Sequence, residues 1–183
     1  MTSPDREPFR AGTRQVRVTI VEGNRMAVSA GTDFAALYRE QYAPMLRLAQ
    51  VTIGGQAHAE DLVQEAFVDV YRAFSEIENP IGYLRRAVLS RAVSWLRRRQ
   101  VELRYSRRQR PPEATAALSP DGMAVRAALS QLRPRARAAV YLRYYLDLPE
   151  AQIAEALDCR LGTVKSILHR AQRTLRRYLD DPD

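Results

Sequence analysis

Apolar residues recur at helical spacing over two stretches of the chain, 33–100 and 123–179, and lose that spacing between them. Within residues 59–74 (AEDLVQEAFVDVYRAF), Val63, Ala66, Phe67, Val70 and Phe74 form one apolar stripe. Asp61, Glu65 and Asp69 line up a turn apart on another face, which predicts an amphipathic helix with an acidic edge. Asn79-Pro80 reads as an N-cap followed by proline in the first turn of the next helix. That helix, residues 81–99, is expected to bury Leu84, Ala87, Val88, Ala92, Trp95 and Leu96. It exposes Arg85, Arg86 and the run Arg97-Arg98-Arg99. Ser75 to Asn79 then form a loop between an acidic helix and a basic one.

The second stretch carries a sharper pattern. Pro134 starts a helix whose expected inward positions are Ala136, Ala139, Val140 and Tyr144, and Pro149 starts the next. From Glu150 onward the spacing is that of a helix-turn-helix. Ile153 and Leu157 turn inward, Ala154 allows close helix approach, and Asp158 takes the tight turn that usually needs glycine. Gly162-Thr163 opens the second helix. Winding it at about 100° per residue puts Leu168, Ala171 and Leu175 within roughly 40° of Val164, and Ile167 within about 60°. Lys165, Ser166, His169, Arg170, Arg173, Arg176 and Arg177 fall on the opposite side. An apolar inner face and a basic, hydrogen-bonding outer face are what a major-groove recognition helix requires. Lys165, Ser166, His169 and Arg170 are placed for base edges, and Arg173, Arg176 and Arg177 for phosphates.

Elsewhere breakers dominate. Residues 1–31 hold Pro4, Pro8, Gly12, Gly23 and Gly31, with one short alternation, Val16, Val18 and Ile20, that predicts a lone strand. Met26 is a second candidate start. Residues 103–122 carry Pro111, Pro112, Pro120 and Gly122 and read as a flexible linker. The expected fold is all-α: an extension over 1–31, a helical domain over 32–102, the linker, and a helix-turn-helix domain over 123–183.

Charge sharpens this picture. The 183 residues carry 29 basic and 21 acidic side chains, a net +8, and every basic residue except Lys165 is arginine. Arginine presents a planar fork of donors suited to phosphate, so a polyanionic partner is expected. The charges are also segregated. Residues 59–80 hold six acids and one base, residues 85–110 hold ten arginines and one acid, and residues 160–177 hold six bases and no acid. Cys159 is alone, so neither an internal disulfide nor a cysteine metal cluster is available. No apolar run approaches the roughly 20 residues that span a bilayer, and no signal-peptide core follows the early arginines. The expectation is a cytoplasmic protein without membrane insertion. No phosphate-cradling glycine loop, carboxylate dyad or nucleophile triad is present, so neither catalysis nor a cofactor or metal is expected.

The strings AEDLVQEAFVDVYRAF, NPIGYLRRAVLSRAVSWLRRR and AQIAEALDCRLGTVKSILHRAQRTLRRYL, in that order, resemble the extracytoplasmic-function (group IV) sigma factors across roughly residues 33–179. D-L-V-Q-E-x-F resembles their core-binding signature, and G-T-V-K-S-x-L-x-R-A their recognition helix. The resemblance implies that Asp61, Gln64, Glu65 and Phe67 bind core RNA polymerase at its β′ coiled coil. It implies that Ser75, Glu76, Ile77, Glu78 and Asn79, with Arg85 and Arg86, meet the −10 element and hold an unpaired base. It implies that Arg160, Thr163, Lys165, Ser166, His169, Arg170 and Arg173 read the −35 duplex, and that the second domain touches the β flap. An anti-sigma factor is a further partner that the family suggests. The chain departs from the family pattern at Leu89, where a basic residue is frequent, and at Ser90 and Ser94, where Asn and Asp are common. Ile167 and Gln172 likewise replace common arginines.

Two other readings differ in class. A stand-alone helix-turn-helix regulator would need the recognition helix but no polymerase. A metal nuclease would use His58, Asp61 and Glu65.

Overall fold

The computed structural model describes residues 34–105 and 120–179, with side chains over 34–102 and 125–178. The chain divides into residues 1–31 and 32–183, and all described elements belong to the second part. The strand expected at 16–20, the second start at Met26 and most of the linker lie outside the described residues.

Seven α-helices follow one another among the described residues: α1 Phe34–Ile53, α2 Ala59–Arg72, α3 Pro80–Tyr105, α4 Pro120–Ser130, α5 Pro134–Tyr144, α6 Glu150–Ala156 and α7 Leu161–Leu179. α3 runs past residue 102 and α4 begins at Pro120, so helix covers both ends of the segment that composition marks as linker. Proline is tolerated at a helix's first position because the N–H it lacks has no partner there.

In the first group, α1, α2 and α3 pack on one another around Leu37, Met45, Leu48, Ala49, Val63, Ala66, Phe67, Val70, Leu84 and Val88, all buried. α1 ends at Gly54, whose φ of 83° is a left-handed value that glycine adopts without cost, and whose N–H returns to the Gln50 carbonyl. α3 starts as its sequence predicts. The Asn79 side-chain oxygen accepts the Gly82 N–H at 2.9 Å, and Pro80 follows the cap.

In the second group, α5, α6 and α7 enclose Ala138, Ala139, Leu142, Ile153, Ala154, Leu157, Val164 and Leu168. The register expected for α5 is wrong by part of a turn. Ala138, Ala139, Tyr141 and Leu142 are buried, whereas Ala136 and Val140 are half-buried and Tyr144 is 57% exposed. A helix reading PRARAAVYLRY has alanine on several faces, so its apolar stripe is weakly marked, and contacts with its neighbours decide the rotation. Trp95 also departs from expectation. It is half-buried, with its ring 5.3 Å from His58 and the Arg99 guanidinium 5.6 Å from its centre.

The two groups share one apolar interior, because α5 packs on α1 and α6 packs on α3. Arg137 reaches from α5 to donate to the Thr52 carbonyl at 2.7 Å, beside Gly54. There it serves as a cationic cap on the C-terminal turn of α1. The Tyr141 hydroxyl donates to the Pro44 carbonyl at 3.1 Å.

Candidate nucleic-acid interface

The acidic edge of α2 faces solvent. Asp61, Gln64 and Glu65 are exposed, and Asp61 lies 3.9 Å from His58. Phe67, in contrast, is 3% exposed. Its ring lies 4.7 Å from Tyr38 and 6.3 Å from both Phe34 and Tyr42, so it holds α2 against α1 and bears on the surface through packing. Three carboxylates spaced one turn apart repel one another. Arg91 of α3 offsets that repulsion: it meets Asp69 at 2.6 Å and Glu65 at 3.3 Å. Sequence reasoning missed Arg91. The signal was available, because it is the sole basic residue between Arg86 and Arg97.

The loop after α2 is held at its middle and at its junction with α3. Ser75, Glu76, Glu78 and Asn79 are exposed, Ile77 packs half-buried against the core, and Asn79 caps α3. Arg86 is exposed too, but its guanidinium meets Asp158 at 3.4 Å. Arg85 corrects the sequence reading. It is half-buried rather than exposed, its Nε has no partner, and burial lowers its pKa while the Glu155 charge opposes that shift. Leu89, where the family resemblance leads one to expect a base, is 3% exposed and lines a cleft with Ala138, Ala156 and Leu157.

The helix-turn-helix follows the sequence closely. α6 buries Ile153 and Ala154, and Asp158 takes the turn with φ 49°, in the left-handed region that Asp tolerates. On α7, Val164, Leu168 and Ala171 are buried and Ile167 half-buried. Arg160, Thr163, Lys165, Ser166, His169, Arg170, Arg173, Arg176 and Arg177 are all exposed. Two groups at its start are ordered by their own backbone. The Ser166 hydroxyl donates to the Gly162 carbonyl at 2.9 Å, and Arg170 Nε donates to the Ser166 carbonyl at 3.1 Å. Gln172, one of the departures from the family pattern, donates to the Tyr144 hydroxyl and ties α7 to α5.

Glu65 is turned to Arg91, and no group of three or more His, Cys, Asp or Glu among the described residues is disposed to hold an ion. No helix among the described residues is long and apolar enough to cross a membrane.

Comparison with known proteins agrees with this geometry. The family descriptions Sigma-70 region 2 and Sigma-70, region 4 match residues 37–102 and 122–175. The chain is 32% identical over 165 residues to the RNA polymerase sigma-E factor of Streptomyces avermitilis, covering 86% of this chain and 91% of that protein. It is 35% identical over 162 residues to the ECF RNA polymerase sigma factor SigL of Mycobacterium tuberculosis, covering 80% and 88%. The sigma factor RpoE of Bartonella quintana, solved with the anti-sigma factor NepR, shares the fold. Its TM-score is 0.67 at 22% identity over 81% of this chain and 99% of that one. A stand-alone regulator finds no support, since the first helical group matches a sigma region in its own right. The chain belongs to the sigma-70 family of RNA polymerase sigma factors, in its extracytoplasmic-function branch.

Proposed function

We propose that this sigma factor acts as a promoter-specificity subunit without an active site, dividing its work among three surfaces. The exposed edge of α2, with Asp61, Gln64 and Glu65, docks on the β′ coiled coil of core polymerase, and Phe67 stiffens it from behind. The loop from Ser75 to Asn79, with Arg85 and Arg86, captures and steadies the melted −10 strand. The outer face of α7 reads the −35 duplex. Lys165, Ser166, His169 and Arg170 approach base edges, Arg160, Thr163 and Arg173 hold the flanking backbone, and the same helical group meets the β flap. The protein works in the cytoplasm, needs no cofactor or metal, and is a candidate for control by an anti-sigma factor.

The observation that carries this reading is the division of α7, with Val164, Leu168 and Ala171 buried and every Lys, Arg and His of the helix exposed. Folding alone asks only for polar groups on an outer face. A face whose charged groups are all cationic is matched to a phosphate backbone.

The docking surface is tested by charge reversal. Asp61→Arg, and Asp61→Arg with Glu65→Arg, are expected to weaken binding to core polymerase, because repulsion replaces attraction at close range. The single variant controls for the pair that the double one breaks at Arg91. Full core binding by both folded variants would remove α2 from the interface.

A further inference from the structure

A cleft of about 340 Å³ lies where the C-terminal end of α1, the helix α4 and Arg137 of α5 meet. That volume is within the range of small-molecule sites, roughly 300–1,000 Å³. Val51, Val125 and Leu129 give the cleft apolar walls, and Gln50, Gln56 and Ser130 add neutral polar groups. It stays open beside Gly55, where an added Cβ would meet nothing within 4 Å. None of these residues is among those assigned to polymerase or to promoter DNA.

Arg137 sets the chemistry of this lining. It is half-buried, its Nε is enclosed without a hydrogen-bond partner, and it makes no ion pair among the described residues. Burial lowers its pKa. Capping α1 accounts for one donor, which reaches the Thr52 carbonyl at 2.7 Å. A helix end offers only partial negative charge. A guanidinium taken out of water needs a full counter-charge to offset its lost hydration. The cleft supplies none: no Asp or Glu lines it, and its other charged residue, Arg126, is also cationic. Inorganic phosphate would leave the apolar walls unmatched, and an uncharged apolar molecule would leave Arg137 uncompensated.

We propose that this cleft binds a small amphiphilic carboxylate, whose head pairs with the Arg137 guanidinium and whose hydrocarbon body lies against Val51, Val125 and Leu129. A carboxylate matches the planar fork of guanidinium donors, and the body leaves water for an apolar wall. The site shares no residue with the surfaces assigned to polymerase and promoter DNA, so its test is separate from theirs.

Isothermal titration calorimetry of the full chain with octanoate tests the site. Octanoate is expected to bind saturably. Octanol, which lacks the charge, and acetate, which lacks the body, are expected to bind at least about tenfold more weakly. Arg137→Met keeps an unbranched apolar side chain and is expected to lower octanoate affinity at least about tenfold. Val125 is 50% exposed, so Val125→Asp leaves the core intact while placing a fixed carboxylate in the lining, and the same loss is expected. If circular dichroism shows lost helix in Arg137→Met, Val125→Asp decides. Arg39→Met, at an exposed position of α1 outside the lining, controls for net charge and is expected to bind octanoate as the wild type does. Absence of saturable octanoate binding, octanol binding as tight as octanoate, full affinity in a folded lining variant, or an equal loss in Arg39→Met would overturn the proposal.

Discussion

Asn79 and Gly82 form a matched pair at the junction of the Ser75–Asn79 loop and α3. The Asn79 side-chain oxygen accepts the Gly82 N–H at 2.9 Å, and a Cβ at position 82 would collide with the same amide. Asn79→Ala should cost about 1 kcal/mol through loss of the cap. Gly82→Ala alone gains helix propensity but displaces the cap. With Asn79→Ala already present the collision is gone, and Gly82→Ala should then restore about 0.5–1 kcal/mol. A double-mutant cycle by urea denaturation measures this coupling, and additive effects would refute it.

Arg91 sets the stability of the acidic edge. Arg91→Ala leaves Asp61, Glu65 and Asp69 to repel one another without the contacts now made at 2.6 and 3.3 Å. The expected loss is about 1 kcal/mol, or roughly 2–4 °C in Tm. Salt should shrink the difference, because added ions screen like-charge repulsion on an exposed face. Thermal denaturation at low and high ionic strength checks both parts.

Tyr141 makes the packing of α5 on α1 sensitive to alkali. Burial pushes its hydroxyl from its ordinary value of 10 up to about 12, with the Arg47 charge partly offsetting the shift. The folded state therefore holds this proton where the unfolded chain releases it. The contribution is fully present below pH 10 and is lost as pH rises from 10 towards 12. Tyr141→Phe should flatten the fall in stability over that window, which denaturation at stepped pH will show.

The parts of this molecule that sequence makes legible are those in which local chemistry fixes the outcome. Asn79-Pro80 names a helix start by itself, Asp158 marks a turn needing positive φ, and α7 separates its two faces by composition. The contact between the two helical groups is not legible. Arg86 and Asp158 are 72 residues apart, Arg137 and Thr52 are 85, and Tyr141 and Pro44 are 97, so no periodicity links them. That distance in sequence is also why Arg85 reads as exposed and why the α5 stripe was misplaced. Among site residues, Phe67 carries both an apolar stripe position and a motif position, and only packing shows which of the two its ring serves.

On α7, base reading and phosphate holding should separate. Arg170→Ala should cost roughly 1–3 kcal/mol at the −35 site and relax base choice there. Arg176→Ala should weaken binding to all sequences alike and lower the salt slope by about one unit. Identical behaviour of the two variants across mutated −35 duplexes would contradict the assignment of these faces.

Reconstituted initiation tests the account most directly. Purified core polymerase, this chain and fragmented DNA from its source organism are combined, and transcript 5′ ends are mapped. The expected result is a discrete set of start sites, absent without the chain, sharing one motif near −10 and another near −35. Asp61→Arg with Glu65→Arg should abolish them, and Arg170→Ala should depress those with the strictest −35 motif. Start sites unchanged by adding the wild-type chain would contradict its action as a specificity subunit.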